Sequence, residues 1–190
     1  LNNIQFHRGP DSNGIYQDPN SNVALAMTRL AIIDIDDGEQ PFSMFNDEII
    51  IIFNGEIFNN RELRKELEGA GEIFKTDHSE VEVIGVLYKK YGEKMLEKLS
   101  GMFAIAIFDK KFQKIFLARD RFGIKPLYYF QDKNNFFFSS ELKVIAECLG
   151  KFLEIDDESV VDYFSLGNIQ NPRTIYKNIN QWAWIHCSNN

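Results

Sequence analysis

"IIIIFNGEIFNNRELR", Ile49 to Arg64, decides the fold. "EIIIIF" (48 to 53) is apolar on both faces, so it reads as a strand covered on both sides. It stops at Asn54-Gly55-Glu56. Asn59-Asn60 can then cap a helix "RELRKELEG", with Leu63 and Leu67 on one face and Gly69 and Gly71 as stops. A buried strand that ends in Asn-Gly-Glu has two readings. Locally a hairpin turn is favoured, because Asn-Gly tolerates positive φ. The other reading is an oxyanion site. A rigid strand end, a glycine that allows close approach, an Asn amide and a backbone N–H can all point at one oxygen, and such donors stabilise a tetrahedral intermediate of acyl transfer.

Working outward, "VALAMTRLAIIDI" (23 to 35) reads as a strand bent near Thr28-Arg29, and "DDGEQPF" as a loop. Ser79 with Glu82 three residues later forms a capping box for a helix that runs to about Tyr91. A short helix "EKMLEKLS" follows. "MFAIAIFD", "KIFLARD", "LYYF" and "NFFFSS" read as four strands of an antiparallel meander, closed by the helix "ELKVIAECLG". A further helix, "IDDESVVDYFSLGNI", lies beyond Gly150. Strands, helices and strands with apolar faces give an α+β fold in layers.

The bulk numbers narrow the function classes. The chain has 190 residues, 44% hydrophobic and 26% charged, enough for one good core. Its net charge of −7 carries no Lys/Arg stripe, which argues against a nucleic-acid partner. No apolar run approaches the ~20 residues of a membrane helix, so no membrane partner is expected. Cys148 and Cys187 form neither a metal spacing nor a disulfide framework, which fits a reducing, cytoplasmic setting. His7, His78 and His186 are far apart, so no metal site is expected.

Three charged positions stand out. Arg29 interrupts an apolar run, where an anion partner such as an amino-acid carboxylate would suit it. Glu80 lies in the first turn of the capping-box helix, where complementing the helix dipole is explanation enough and meeting an ammonium group is the functional alternative. "RDRFGIKPLYY" (119 to 129) reads alone as a connecting loop whose charges could pair with Asp109 or Glu141. Cys148, between Ile145 and Leu149, reads as a packed thiol.

The stretches "HRGPDSNGIY", "RLAIIDIDDGEQP", "FNGEIFN", "SEVEVI", "LSGMFAIAIFD", "ARDRFGIKPLYY" and "SSELKVIA" stand in the order found in a known family. Together they resemble the class II glutamine amidotransferase domain of glutamine-hydrolysing asparagine synthetases. The resemblance implies the four-layer αββα sandwich of the N-terminal nucleophile hydrolases, incomplete at the N-terminus, and hydrolysis of glutamine to glutamate and ammonia. It implies that Arg29 holds the glutamine α-carboxylate and that Leu30, Ala31, Ile32 and Ile33 line the pocket. Asn54 and Gly55 would form the oxyanion hole, with Glu56 and Glu80 toward the substrate's amino end. Residues 1–150 would be a partial amidotransferase domain, and 151–181 a connection toward an ATP-dependent synthetase domain. Residues 182–190 break with the family's continuation and read as a non-native tail. ATP and Mg²⁺ are implied for the synthetase domain and no cofactor for this chain; glutamine is the implied ligand, and the family is often homodimeric.

Two departures qualify the resemblance. The family's nucleophile is an N-terminal Cys set a strand and a helix ahead of "HRGPD", and six residues without a Cys precede His7 here. The chain alone is therefore expected to be inactive, with an unpaired sheet edge. The family also has Ser-Asp where this chain has Ser79-Glu80, so the acid is one methylene longer. The alternatives are an amidotransferase domain serving another acceptor, or a degenerate domain that binds glutamine without turnover.

Overall fold

A computed structural model describes residues 2–29, 40–150, 153–183 and 186–188. After a 3₁₀ helix, Asn2–Arg8, two strands form an antiparallel ribbon, β1 (Ser12–Gln17) and β2 (Ala24–Arg29). Then come β3 (Phe42–Met44), β4 (Ile49–Ile57), α1 (Asn60–Gly69) and α2 (Glu80–Tyr91). A 3₁₀ helix, Gly92–Glu97, stands where a short helix was expected. β5 (Gly101–Asp109), β6 (Lys114–Arg119), β7 (Tyr128–Gln131), β8 (Phe136–Ser139) and α3 (Leu142–Leu149) follow. The chain closes with α4 (Asp157–Leu166), β9 (Ile179–Gln181) and β10 (His186–Ser188).

The isoleucine run lies inside the larger sheet, between β5 and β3 in the order β10-β6-β5-β4-β3. Side chains alternate along a strand. Ile49, Ile51, Phe53 and Ile57 therefore face α1 and α2, where Leu63, Leu67, Val83, Ile84 and Leu87 complete one core cluster. On the opposite face, Ala104, Ala106 and Leu117 meet Leu127 and Trp182, with Tyr129, Phe136 and Phe138 packed alongside. That second face is the seam with the three-stranded sheet β8-β7-β9. α3 packs against β7 and β8. Helices, sheet, sheet and helix give the layered α+β arrangement. The β1–β2 ribbon joins the seam through Leu25, which packs with Ile50 and Phe108.

Two expectations are corrected. β4 does not stop at Phe53. It runs on through Asn54, Gly55 and Glu56 to Ile57, paired with β5 throughout, so Asn54-Gly55 is not a hairpin turn. The expected four-strand meander is two hairpins in different sheets, because the 119–127 loop carries the chain from β6 across the seam to β7. Trp182, first residue of the segment set apart as a tail, lies in the seam. Its N–H donates to Leu127 O at 2.8 Å, and its ring meets Tyr129 edge-on at 4.8 Å.

Candidate functional site

The backbone of β4 decides what Asn54-Gly55-Glu56 can do. On one edge Lys110 N–H donates to Glu48 O at 2.9 Å, and Phe58 N–H donates to Ser100 O at 2.7 Å. Backbone groups of successive residues point to opposite edges, so the even residues face β5 and the odd residues face β3. β3 is short, and its pairing ends at Ile51. Beyond it, side chains replace the missing strand. Phe53 N–H donates to Gln40 Oε1 at 2.7 Å, and Ile57 N–H to Glu80 Oε1 at 2.6 Å. Gly55 lies between them, and its N–H points out of the same edge.

Gly55 is required by β5. A Cβ there would sit 2.2 Å from Met102 O and 2.7 Å from Phe103 Cα. Asn54 and Glu56 have the parity of Ile50 and Ile52, so both belong to the face turned toward the seam. Glu56 is exposed, and Asn54 is half-buried.

The ribbon brings Arg29 to the same place. It ends β2 opposite Ser12, and its carbonyl accepts the Asp11 N–H at 3.1 Å. Gly9 of "HRGPD" packs directly on it, since a Cβ at Gly9 would lie 2.4 Å from the Arg29 backbone. Arg29, Asn54, Gly55, Glu56 and Glu80 all line one cavity of about 1160 Å³, larger than a single amino acid needs. Leu30 to Ile33 lie outside the described residues.

The loop before α2 is built differently from the sequence expectation. Ser79 is the N-cap of α2 but makes no side-chain cap bond, and Glu82 does not reach back to it. Instead Glu82, 2% exposed, accepts the N–H groups of Lys75 (3.0 Å) and Thr76 (2.9 Å) and the Thr76 hydroxyl (2.6 Å). Ser79 N–H donates to the Thr76 hydroxyl at 3.1 Å, and Asn60 Nδ2 to His78 O at 3.2 Å. A buried carboxylate thus serves a whole turn rather than one helix end, and it fixes where Glu80 begins. Asn59 likewise leaves its cap role: its amide donates to Lys98 O and accepts Ser100 N–H, each at 2.9 Å.

The "RDRFGIKPLYY" charges do not pair with Asp109 or Glu141. Arg119 donates to the carbonyls of Lys125 and Gly123, both at 2.6 Å, and to Trp182 O at 3.2 Å, which spans the seam. Asp120 accepts the N–H groups of Ile124 and Lys125 at 2.9 Å, Phe122 at 3.1 Å and Phe103 at 3.3 Å. Burial pushes the Asp120 carboxyl upward. The four N–H donors outweigh it and hold the group below the usual carboxylate range. Glu141 instead pairs with Arg8 at 2.8 Å.

Cys148 lines the cavity from α3 and is half-buried. Burial raises its thiol, which keeps it protonated and weakly nucleophilic. Among the described residues, no group of three or more His, Cys, Asp or Glu could hold a metal ion, and no helix is long and apolar enough to cross a membrane.

Comparison with known proteins meets this geometry. Residues 1–188 match the family of the glutamine amidotransferase domain. The chain belongs to that family. Among similar proteins, asparagine synthetase [glutamine-hydrolyzing] 1 of Bacillus subtilis is 42% identical over 175 residues, covering 92% of this chain and 27% of that protein. Asparagine synthetase [glutamine-hydrolyzing] 3 of the same organism is 36% identical over 183 residues, covering 95% and 29%. The amidotransferase domain described here therefore spans less than a third of the length of these two relatives. Glutamine phosphoribosylpyrophosphate amidotransferase from B. subtilis, solved with ADP and GMP, superposes with a TM-score of 0.55 at 26% identity, over 64% of this chain and 28% of that one. A structure of the allosteric regulatory enzyme of purine biosynthesis gives 0.56 at 21% identity over 84% and 31%, a likeness of fold.

Sequence reasoning did not single out Gln40, which lines the cavity, and misjudged Glu82, which holds the turn before α2. Glu82 carried a signal, read as the wrong motif. Gln40, in a loop before a proline, carried none: its partner is 13 positions away in sequence and is met only through the fold.

Proposed function

We propose that this domain is the glutaminase part of an asparagine synthetase. It binds glutamine in the cavity, and the ammonia released there serves ATP-dependent amidation of aspartate by a synthetase domain. ATP, Mg²⁺ and the acceptor belong to that domain, not to this chain. The observation that carries the reading is the shared cavity: a cation, an amide, an outward-facing backbone N–H and two carboxylates line it together. Those groups match the three ends of glutamine. Arg29 meets the α-carboxylate, in the charge-assisted pairing that guanidinium favours. Glu56, assisted by Glu80, meets the α-ammonium. Asn54 Nδ2 and Gly55 N–H meet the side-chain carbonyl oxygen. Once a thiolate adds to that carbon, the same two donors stabilise the oxygen as it becomes negative; one such donor is worth about 10²–10³ in rate. The part played by Arg29, Asn54, Gly55, Glu56 and Glu80 is binding and charge stabilisation.

Calorimetric titration of the chain with L-glutamine tests the reading. Binding is expected, and Arg29→Ala should weaken it at least about tenfold, the loss of roughly one charge-assisted bond. Absence of glutamine binding, or binding unchanged in Arg29→Ala, would refute it.

A further inference from the structure

Gln40 lines the same cavity as the groups assigned to the ligand, and it touches the strand that carries two of them. Its Oε1 accepts the Phe53 N–H at 2.7 Å, two residues before Gly55. Its own position is fixed from behind. The Gln40 carbonyl lies so close to β1 that a Cβ at Gly14 would be 2.0 Å from it. Gln40 therefore ties the ribbon that carries Arg29 to the strand that carries Asn54 and Gly55. The β3 pairing ends at Ile51, so among the described residues no strand supplies an acceptor at Phe53. An unmet N–H there would take water, or compete with Gly55 for the substrate oxygen. With Gln40 at Phe53 and Glu80 at Ile57, both neighbouring donors on the edge are occupied. Gly55 N–H is the donor left facing the cavity between them.

We propose that Gln40 is a positioning residue of the glutamine site: its side-chain carbonyl takes the Phe53 N–H, so that Gly55 N–H is the backbone donor that β4 presents, beside the Asn54 amide, to the substrate's amide oxygen. The inference rests on the glutamine reading for its ligand but not for its geometry. It separates the two ends of the substrate, because Gln40 acts on the carbonyl end and not on the amino-acid end that Arg29 and Glu56 meet.

The test uses the full chain in two readouts. The first is amide hydrogen exchange at Phe53. Gln40→Leu keeps the bulk and removes the acceptor, and should speed exchange there about tenfold or more; Gln40→Glu keeps an acceptor and should leave Phe53 protected as in the parent. If Gln40→Leu fails to fold, Gln40→Glu still decides: a Phe53 amide that exchanges freely in that variant overturns the inference. The second readout compares L-glutamine with L-norleucine, which has the amino-acid end but no side-chain carbonyl. Gln40→Leu should weaken glutamine about tenfold and norleucine less than about twofold. Equal weakening of both would mean a general structural role and would overturn the proposal. If the parent chain binds neither compound, the glutamine reading fails, and the exchange at Phe53 still decides the role of Gln40.

Discussion

Two segments rich in polar residues interrupt apolar strands in this chain, and they spend their hydrogen bonds in opposite ways. In the loop after β6, Arg119 and Asp120 turn inward. The guanidinium serves three backbone carbonyls and the carboxylate four N–H groups. In β4, Asn54-Gly55-Glu56 stays in a regular strand whose outer edge is met only on either side of Gly55. Both stretches are equally specific as sequence signals. One closes on itself and holds two sheets together, and the other faces a cavity. The destination of the backbone hydrogen bonds tells them apart, and composition does not.

The comparison makes separable predictions. The largest effect belongs to Gly55. Gly55→Ala drives a methyl group onto the β5 backbone, 2.2 Å from Met102 O, so strand must part from strand. A loss of about 3 kcal/mol in a denaturant melt is expected, the upper range for overpacking. A loss below about 1 kcal/mol would mean that the strands have room to give.

Next comes Asp120→Asn. The amide retains one acceptor but turns an NH₂ toward N–H groups, leaving buried donors unmet. About 2 kcal/mol of stability should go, with glutamine affinity unchanged, because the loop's bonds are internal. Loss of affinity without loss of stability would erase the distinction between the two segments.

The same carboxylate sets a pH dependence. Asp120 titrates lower in the folded chain than its unfolded value of about 3.9. Its contribution is thus complete above that value and is lost as pH falls through the folded pKa. Acid melts of the parent should be steeper below about pH 4 than those of Asp120→Asn. Parallel curves would show that the carboxylate is not what the loop depends on.

The smallest effect is at the surface. Arg8 and Glu141 pair at 2.8 Å, but their side chains are 38% and 25% exposed. Glu141→Gln should cost less than about 1 kcal/mol, and less still at high salt. A larger loss would mean that the pair, and not Gly9 packed on the Arg29 backbone, holds the "HRGPD" segment in place.

Much of this was legible in the sequence, for identifiable reasons. The isoleucine run fixed a doubly covered strand by its apolar residues alone, and the helices at 60–69, 80–91 and 157–166 each have a glycine at or just beyond the C-terminal end. Arg29, Asn54, Gly55, Glu56 and Glu80 were named from residue type and family pattern, and all five line one cavity. The strand's length was misjudged because Asn-Gly is a turn signal whenever no partner strand is in view. β5, 50 positions on at the Asn54 pairing with Ala104, is that partner. The capping box failed for a related reason. Glu82 found three donors in the preceding turn, and those outbid one N–H at the helix end. Periodicity and local motifs report neighbours a few residues apart, whereas Gln40, Glu82 and Arg119 take their meaning from longer contacts.

The most direct test of the account is a titration of ¹⁵N-labelled chain with L-glutamine, following the amides of Gly55, Ile124 and Lys125. The account predicts that the Gly55 signal moves with glutamine and saturates, while Ile124 and Lys125, bound to Asp120, stay where they are. A Gly55 amide that ignores glutamine while the chain binds it would contradict the placing of the substrate oxygen at Asn54-Gly55.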